Sequence, residues 1–330
     1  MSFEDIKGQD RQIKTLKEAI TKGYIFSSYL FVGPDGIGKA KVAQNFAKAL
    51  NCPDKNEPPC DTCVSCRKVD SKTHPDVFFI EPKGASFSIG IEQIRTVIAQ
   101  ANLKPYEAPR KVFVIDGAHA MNQEAANAFL KTLEEPPSNT IFILVSRSKE
   151  SILPTIVSRC HVVRFSAVPR EIVENMLIEI FSSGDNKMTG GEAEILSNFS
   201  AGRIGEAIRM REEGLIERKN RLIDTLIGDG KNLSGVIGVY KDKEDLKRNL
   251  EFLVSFFRDI FLSKTANEDV LYFNSDRIGE IKDQRDRFTL QGLESLIKKI
   301  ITLRAYVDYN VNPKIIVDVV SNELRSQMRS

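Results

Sequence analysis

Residues 33–40 read Gly-Pro-Asp-Gly-Ile-Gly-Lys-Ala, a phosphate-binding loop complete except at its final position. In the pattern G-x-x-x-x-G-K-[ST], glycines let consecutive backbone N–H groups turn inward onto phosphate oxygens. The lysine reaches the β- and γ-phosphates, and the closing hydroxyl binds Mg²⁺. Gly33, Gly36, Gly38 and Lys39 are present, but Ala40 has no oxygen to offer a metal. A second chemical group follows closely: Cys52, Cys60, Cys63 and Cys66, spaced C-x7-C-x2-C-x2-C. Two-residue gaps let neighbouring thiolates converge, and four sulfurs satisfy tetrahedral Zn²⁺ with no open position. A closed site of this kind is structural, and it can contribute on the order of 10 kcal/mol to ordering a short polar module. Cys160 stands apart from the cluster and is expected as a small core residue.

These groups need a rigid scaffold, and the first half of the chain alternates strands and helices. A short apolar run at 29–32 leads into the glycine loop, and 39–50 has helical composition, the context that the loop requires. Apolar runs at 77–80, 112–115, 141–145 and 161–165 read as further strands. Helices are expected over 90–101 and 122–135, the second stopped by Pro136 and Pro137. Runs that stay apolar without alternating belong to a parallel sheet covered on both faces. Beyond 165 the strand signals fade, and Leu246, Leu250, Leu253, Phe257 and Ile260 are spaced for one helical face. The expected organisation is an α/β domain with a parallel sheet and a zinc module over 1–166, a small helical lid over 167–211 and an all-α domain over 212–330.

Asp116 ends the 112–115 strand, where a P-loop NTPase places a Mg²⁺-coordinating carboxylate. ATPases of the AAA+ type follow that aspartate with a glutamate that polarises the attacking water; here the next residue is Gly117. Ala40 and Gly117 together remove a metal ligand and the catalytic base. The retained Lys39 and glycines leave ADP or ATP as a candidate ligand that is held without being cleaved. Across 330 residues, 47 basic and 45 acidic side chains give a formal charge of +2. So weak a global field means that any nucleic-acid contact must come from a local patch or from partner subunits. No apolar run approaches membrane-spanning length and the first residues lack a signal pattern, so a cytoplasmic protein without membrane contact is expected.

Four stretches together resemble the AAA+ clamp-loader family of bacterial replication. Phe3-Glu4-Asp5-Ile6-Lys7-Gly8-Gln9 is similar to the family's N-terminal segment, which lies by the adenine pocket. The cysteine module follows the loop's helix, as in bacterial clamp-loader subunits. Asn-Ala-Phe-Leu-Lys-Thr-Leu-Glu-Glu-Pro-Pro at 127–137 looks like the family's helix after the Walker B strand, and Ser158-Arg159-Cys160 matches its Ser-Arg-Cys signature. The second half resembles the family only in layout, a lid and then a helical collar. The resemblance implies that Arg159 reaches ATP held by a neighbouring subunit as an arginine finger. It also implies as partners the gamma/tau ATPase and delta subunits, the sliding clamp, and primer–template DNA through the assembled complex. Family ATPases carry a further arginine in a Gly-Ser-x-Arg turn of the lid; this chain has Gly205 there, with Arg203 earlier in the turn.

Three readings stand at this point. The leading one is a non-hydrolysing subunit that completes a loader ring, collar included. The second is the ATP-hydrolysing motor of the same loader. The third is a zinc protein gripping nucleic acid through Lys104, Arg110 and Lys111 or through the charged tract at 241–247.

Overall fold

The computed structural model describes residues 3–54, 56–84, 87–183, 187–228, 237–238, 240–265, 271–309 and 311–327. They divide into two compact units, one comprising Met1–Met176 with Ala201–Glu206, the other Leu177–Ser200 with Ala207–Ser330.

The first unit is built on five parallel strands, β1 (Ser28–Val32), β2 (Val77–Ile80), β3 (Lys111–Asp116), β4 (Thr140–Ser146) and β5 (His161–Arg164), in the order β2-β3-β4-β1-β5. Helices α1 (Asp10–Lys22), α2 (Lys39–Asn51), α3 (Val64–Asp70), α4 (Ile91–Ala101), α5 (Gln123–Glu134) and α6 (Pro154–Val157) connect or cover them. Successive strand residues face opposite sides. Tyr29, Phe31, Val112, Val114, Ile141 and Ile143 therefore join Ile13, Leu16, Val42 and Phe46 of α1 and α2 in one core. Leu30, Phe113, Ile115, Phe142 and Leu144 join Ile94, Val97, Phe129 and Ile156 of α4, α5 and α6 in the other. With apolar demand on both faces, the interior strands β1, β3 and β4 read as nearly unbroken hydrophobic runs, whereas the edge strand β5 leaves His161 and Arg164 exposed. This is the α/β arrangement with a parallel sheet that the sequence led us to expect, with the phosphate loop between the interior strand β1 and α2.

Helix ends follow their local chemistry. Asn122 caps α5 by accepting the Ala125 N–H at 2.8 Å, so the helix begins one residue later than the composition suggests. Lys111, a candidate nucleic-acid contact of the third reading, is buried: it begins β3 and its ammonium donates to the Gln100 carbonyl at 3.0 Å.

The second unit is helical, with α7 (Arg170–Ile180) running into it from the first. It holds α8 (Gly190–Ser200), α10 (Leu215–Ile227), α11 (Lys243–Thr265), α12 (Ile278–Asp283), α13 (Leu290–Tyr306) and α14 (Pro313–Gln327); α9 (Ile204–Glu212) begins in the returning segment of the first unit. Leu246, Leu250, Leu253, Phe257 and Ile260 of α11 are fully buried, as their spacing requires. Phe252, Phe256 and Asp259 are buried as well, so α11 is enclosed on more than the one face that the periodicity marked. In the 241–247 tract, Lys247 pairs with Glu244 and Asp308, and Asp245 accepts the Lys241 N–H. Lys247 is thus taken up by acidic partners, while Lys241 and Lys243 are exposed and interleaved with the exposed Asp242 and Glu244. Among the described residues no helix is long and apolar enough to cross a membrane.

One short turn ties the returning segment, residues 201–206, to the first unit. Gly202 has φ +79, and a Cβ there would lie 2.4 Å from the Val168 carbonyl oxygen, while the Val168 N–H donates to the Gly202 carbonyl at 2.9 Å. Any side chain meets both a left-handed backbone and a backbone clash. Gly202→Ala is expected to cost about 1–3 kcal/mol, read as a lower urea midpoint; a wild-type midpoint would contradict the close approach.

Candidate functional site

The phosphate loop emerges from the carboxyl end of β1 and hands the chain to α2 through Gly38, which caps the helix at φ +95. Lys39, the first residue of α2, is buried, and its ammonium donates to the carbonyls of Gly33 and Pro34, both at 2.6 Å. Asp35 lies 3.7 Å from the same nitrogen. Burial lowers the Lys39 pKa from its ordinary value, and the Asp35 and Asp116 carboxylates oppose that shift. Asp116 closes β3 and moves the opposite way: burial raises it, the Gly117 N–H pulls it down, and Glu81 pushes it up again. The structure thus brings Gly33, Gly36, Gly38, Lys39 and Asp116 into one site.

Ala40 lines a cavity of about 90 Å³ together with Gln44, Glu81 and Asp116. At position 117 the loss is built into the backbone. Gly117 has φ +72, and a Cβ there would approach Pro82 Cγ to 2.9 Å. A glutamate could enter only by displacing the β2–α4 connection. The lid-turn position is equally constrained. The Gly205 N–H donates to the Gly36 carbonyl at 2.8 Å, and a Cβ on Gly205 would meet Gly36 Cα and O at 3.2 Å. The turn therefore rests on the phosphate loop through two residues without side chains. Neither contact could be read from spacing, because Pro82 and Gly117, like Gly36 and Gly205, are far apart in the chain.

The four cysteines converge as their spacing predicts: the sulfurs of Cys52, Cys60, Cys63 and Cys66 all lie within 4.8 Å of one another. Thiolates bind Zn²⁺ tetrahedrally at about 2.3 Å, and four sulfurs gathered this closely supply that donor set. Local backbone prepares the donors. Cys52 ends α2, Cys63 caps α3 with its sulfur accepting the Cys66 N–H at 3.3 Å, and the Cys60 N–H donates to Cys52 Sγ at 3.4 Å. The Cys63 N–H, then the Thr62 hydroxyl and N–H, pull Cys60 down to about 6, whereas burial pushes Cys52 and Cys66 up. A bound cation would offset that burial cost by taking the thiolates directly. Lys48 of α2, fully buried, pairs with Asp61 of the cysteine loop and with Asp70 of α3 at 2.9 Å. This strut was not evident from sequence, since a lone lysine in a helix gives no sign of facing inward.

Arg159 is partnered by α5 and α6 rather than by the phosphate loop. One terminal nitrogen donates to the Thr155 carbonyl at 2.7 Å and to Ser158 Oγ at 3.3 Å, and the other pairs with Glu134. Cys160 behaves as a core thiol, packed against the sheet and raised by burial to about 12.

The family model described as "DNA polymerase III, delta subunit" matches residues 8–169. The DNA polymerase III subunit delta' of Bacillus subtilis (strain 168) is 28% identical over 313 residues, covering 92% of each chain. Subunit tau of the same organism is 29% identical over 287 residues, covering 80% of this chain and 50% of its own length. This chain therefore spans half of tau but nearly all of delta'. A gamma subunit-related protein of Thermotoga maritima of known structure is 22% identical and covers 96% of this chain and all of its own, with a TM-score of 0.47. By the family model and by the delta' and tau relatives, the chain is similar to the clamp-loader subunits of DNA polymerase III.

Proposed function

We propose that this chain is a delta'-type subunit that completes a clamp-loader ring without turning over ATP, and that Arg159 acts on ATP held by a neighbouring subunit. The observation that carries this reading is where Arg159 lies along the strands. It lies two residues before β5, which runs parallel to β1 with His161 beside Tyr29 and Arg164 beside Val32. Arg159 is thus level with Ser27 at the amino-terminal edge of the sheet, while the phosphate loop leaves the opposite edge after Val32. At about 3.3 Å per strand residue, some six residues put the two backbones roughly 20 Å apart. That exceeds the reach of an arginine, so its charge serves only a phosphate brought by another molecule. There a planar, permanently charged fork can spread positive charge over a γ-phosphate as bonds break.

The chain's own site supports the passive half of the reading. Ala40 withholds a metal ligand, and position 117 has no space for a base. ADP or ATP would bind only after Lys39 gave up the Gly33 and Pro34 carbonyls. The close length match with delta' favours the same role. Partners on this reading are gamma/tau-type ATPase and delta subunits, joined through a helical collar at 212–330, with the lid at 167–211. The sliding clamp and primer–template DNA follow through the assembled complex. Zn²⁺ held by Cys52, Cys60, Cys63 and Cys66 would cross-link the module and take no part in turnover. The matches to tau favour a second reading, the motor subunit, which would have to activate water without a carboxylate at 117.

The isolated chain is expected to show no steady ATP hydrolysis, and A40T with G117E to restore none; turnover on the order of 1 s⁻¹ or faster would favour the motor. In a loader reconstituted with its ATPase subunits, R159A is expected to lower DNA-dependent hydrolysis by roughly 10³-fold, and unchanged hydrolysis would remove the finger. Metal analysis should find about one Zn²⁺ per chain, and C63S should lose it together with protease resistance of the 52–70 segment; a metal-free protein with that segment intact would refute the site.

A further inference from the structure

We propose that Glu134 is the positioning residue of Arg159, a built-in anion that holds the guanidinium ready and yields it to the phosphate of the neighbouring subunit. This rests on the arginine-finger reading above. Glu134 is the last residue of α5, and the prolines at 136 and 137 end the helix there. Arg159 follows the short helix α6, whose Thr155 carbonyl and adjoining Ser158 hydroxyl fix one terminal nitrogen, leaving the other for Glu134.

Arg159 is enclosed at its stem and open at its tip. Its Nε is buried and has no acceptor among the described residues, and Cys160 beside it is packed into the core. The Arg159 side chain nevertheless keeps 32% of its exposure and Glu134 keeps 48%. The pair therefore meets in water, at the end of an otherwise packed side chain. An exposed arginine–carboxylate contact is weak because water and salt screen it. It still selects one rotamer of a side chain that would otherwise lose much conformational freedom on meeting its target. A γ-phosphate carries more charge and presents several oxygens to the fork, so it outcompetes a single carboxylate for the same nitrogen. A weak holder suits such an exchange, whereas a buried pair would resist it. Glu135, exposed and next in sequence, offers a control of equal charge.

The test uses the complete reconstituted loader carrying this chain as wild type, E134A, E134Q, E135A, R159A or E134A/R159A. Loader assembly and thermal midpoint are checked for each, and DNA-dependent ATP hydrolysis is resolved into kcat and KM. E134A is expected to lower kcat by about tenfold with KM little changed, as misplacement of a charge-stabilising group should. E134Q, whose amide oxygen still accepts from Arg159, should retain most activity, and E135A all of it. E134A should add nothing in the R159A background. Loss of kcat in E134A that persists on top of R159A, or equal loss in E134Q, overturns the proposal, since Glu134 would then act apart from Arg159. If R159A is impaired and E134A is not, the positioning role falls and the finger stands. If R159A is itself unimpaired, the finger falls and the proposal with it.

Discussion

Parallel pairing of β1 between β4 and β5 is the constraint on which the rest of the molecule depends. Strands that all run one way gather every strand exit on one edge of the sheet and every strand entry on the other. The phosphate loop, Asp116 and Gly117 are exits, whereas Glu134 and Arg159 lie on segments leading into β4 and β5. Placing β1 in the interior, with neighbours on both sides, opens the crevice at the carboxyl ends where such folds bind ligands. The same arrangement prevents an entry-side group from serving an exit-side ligand of its own chain. On the proposed reading, one sheet carries a receiving face and a donating face, and a second molecule connects them.

The receiving face has been remodelled at the level of the backbone. Losing a catalytic glutamate by point substitution would leave an empty place for one; here Pro82 stands against Gly117 and closes it. Gly205 and Gly36 approach so closely that an arginine at 205 would have to lift the turn from the loop. Interiors packed to this density do not accept a side chain without moving their neighbours. On the proposed reading, the residues around the loop serve packing where a working motor would arrange them for chemistry. Lys39 illustrates the change, since its ammonium satisfies two loop carbonyls in place of a phosphate.

Much of this was legible from residue order alone. The interior strands β1, β3 and β4 announced themselves because burial on both faces made them nearly continuously apolar, and the four cysteines converged as their close spacing suggested. The P-loop residues and Asp116 fell into place because strand–turn–helix order dictates which ends meet. What escaped was contact between residues distant in sequence with no motif in common. Glu134 beside Arg159, Pro82 against Gly117 and Lys48 between Asp61 and Asp70 depend on how elements pack, which periodicity does not encode. Lys111 escaped for a related reason, as a lysine at a strand start reads as solvated until Gln100 is seen to receive it. The enclosure of α11 on several sides likewise belongs to its neighbours rather than to its own pattern.

Helix α2 begins at the phosphate loop and ends at Cys52, with Lys48 anchoring its last turn to both arms of the cysteine module. Thirteen residues make a rod of about 20 Å, clamped at its head by loop carbonyls on Lys39 and at its tail by two carboxylates and by Cys52 of the cysteine cluster. A rod held at both ends cannot rotate about its axis or slide without breaking one clamp. The module therefore works mechanically as a keel: it fixes the bearing of the helix that leaves the phosphate loop, and so, on the proposed reading, the relative bearing of the two faces offered to neighbouring subunits.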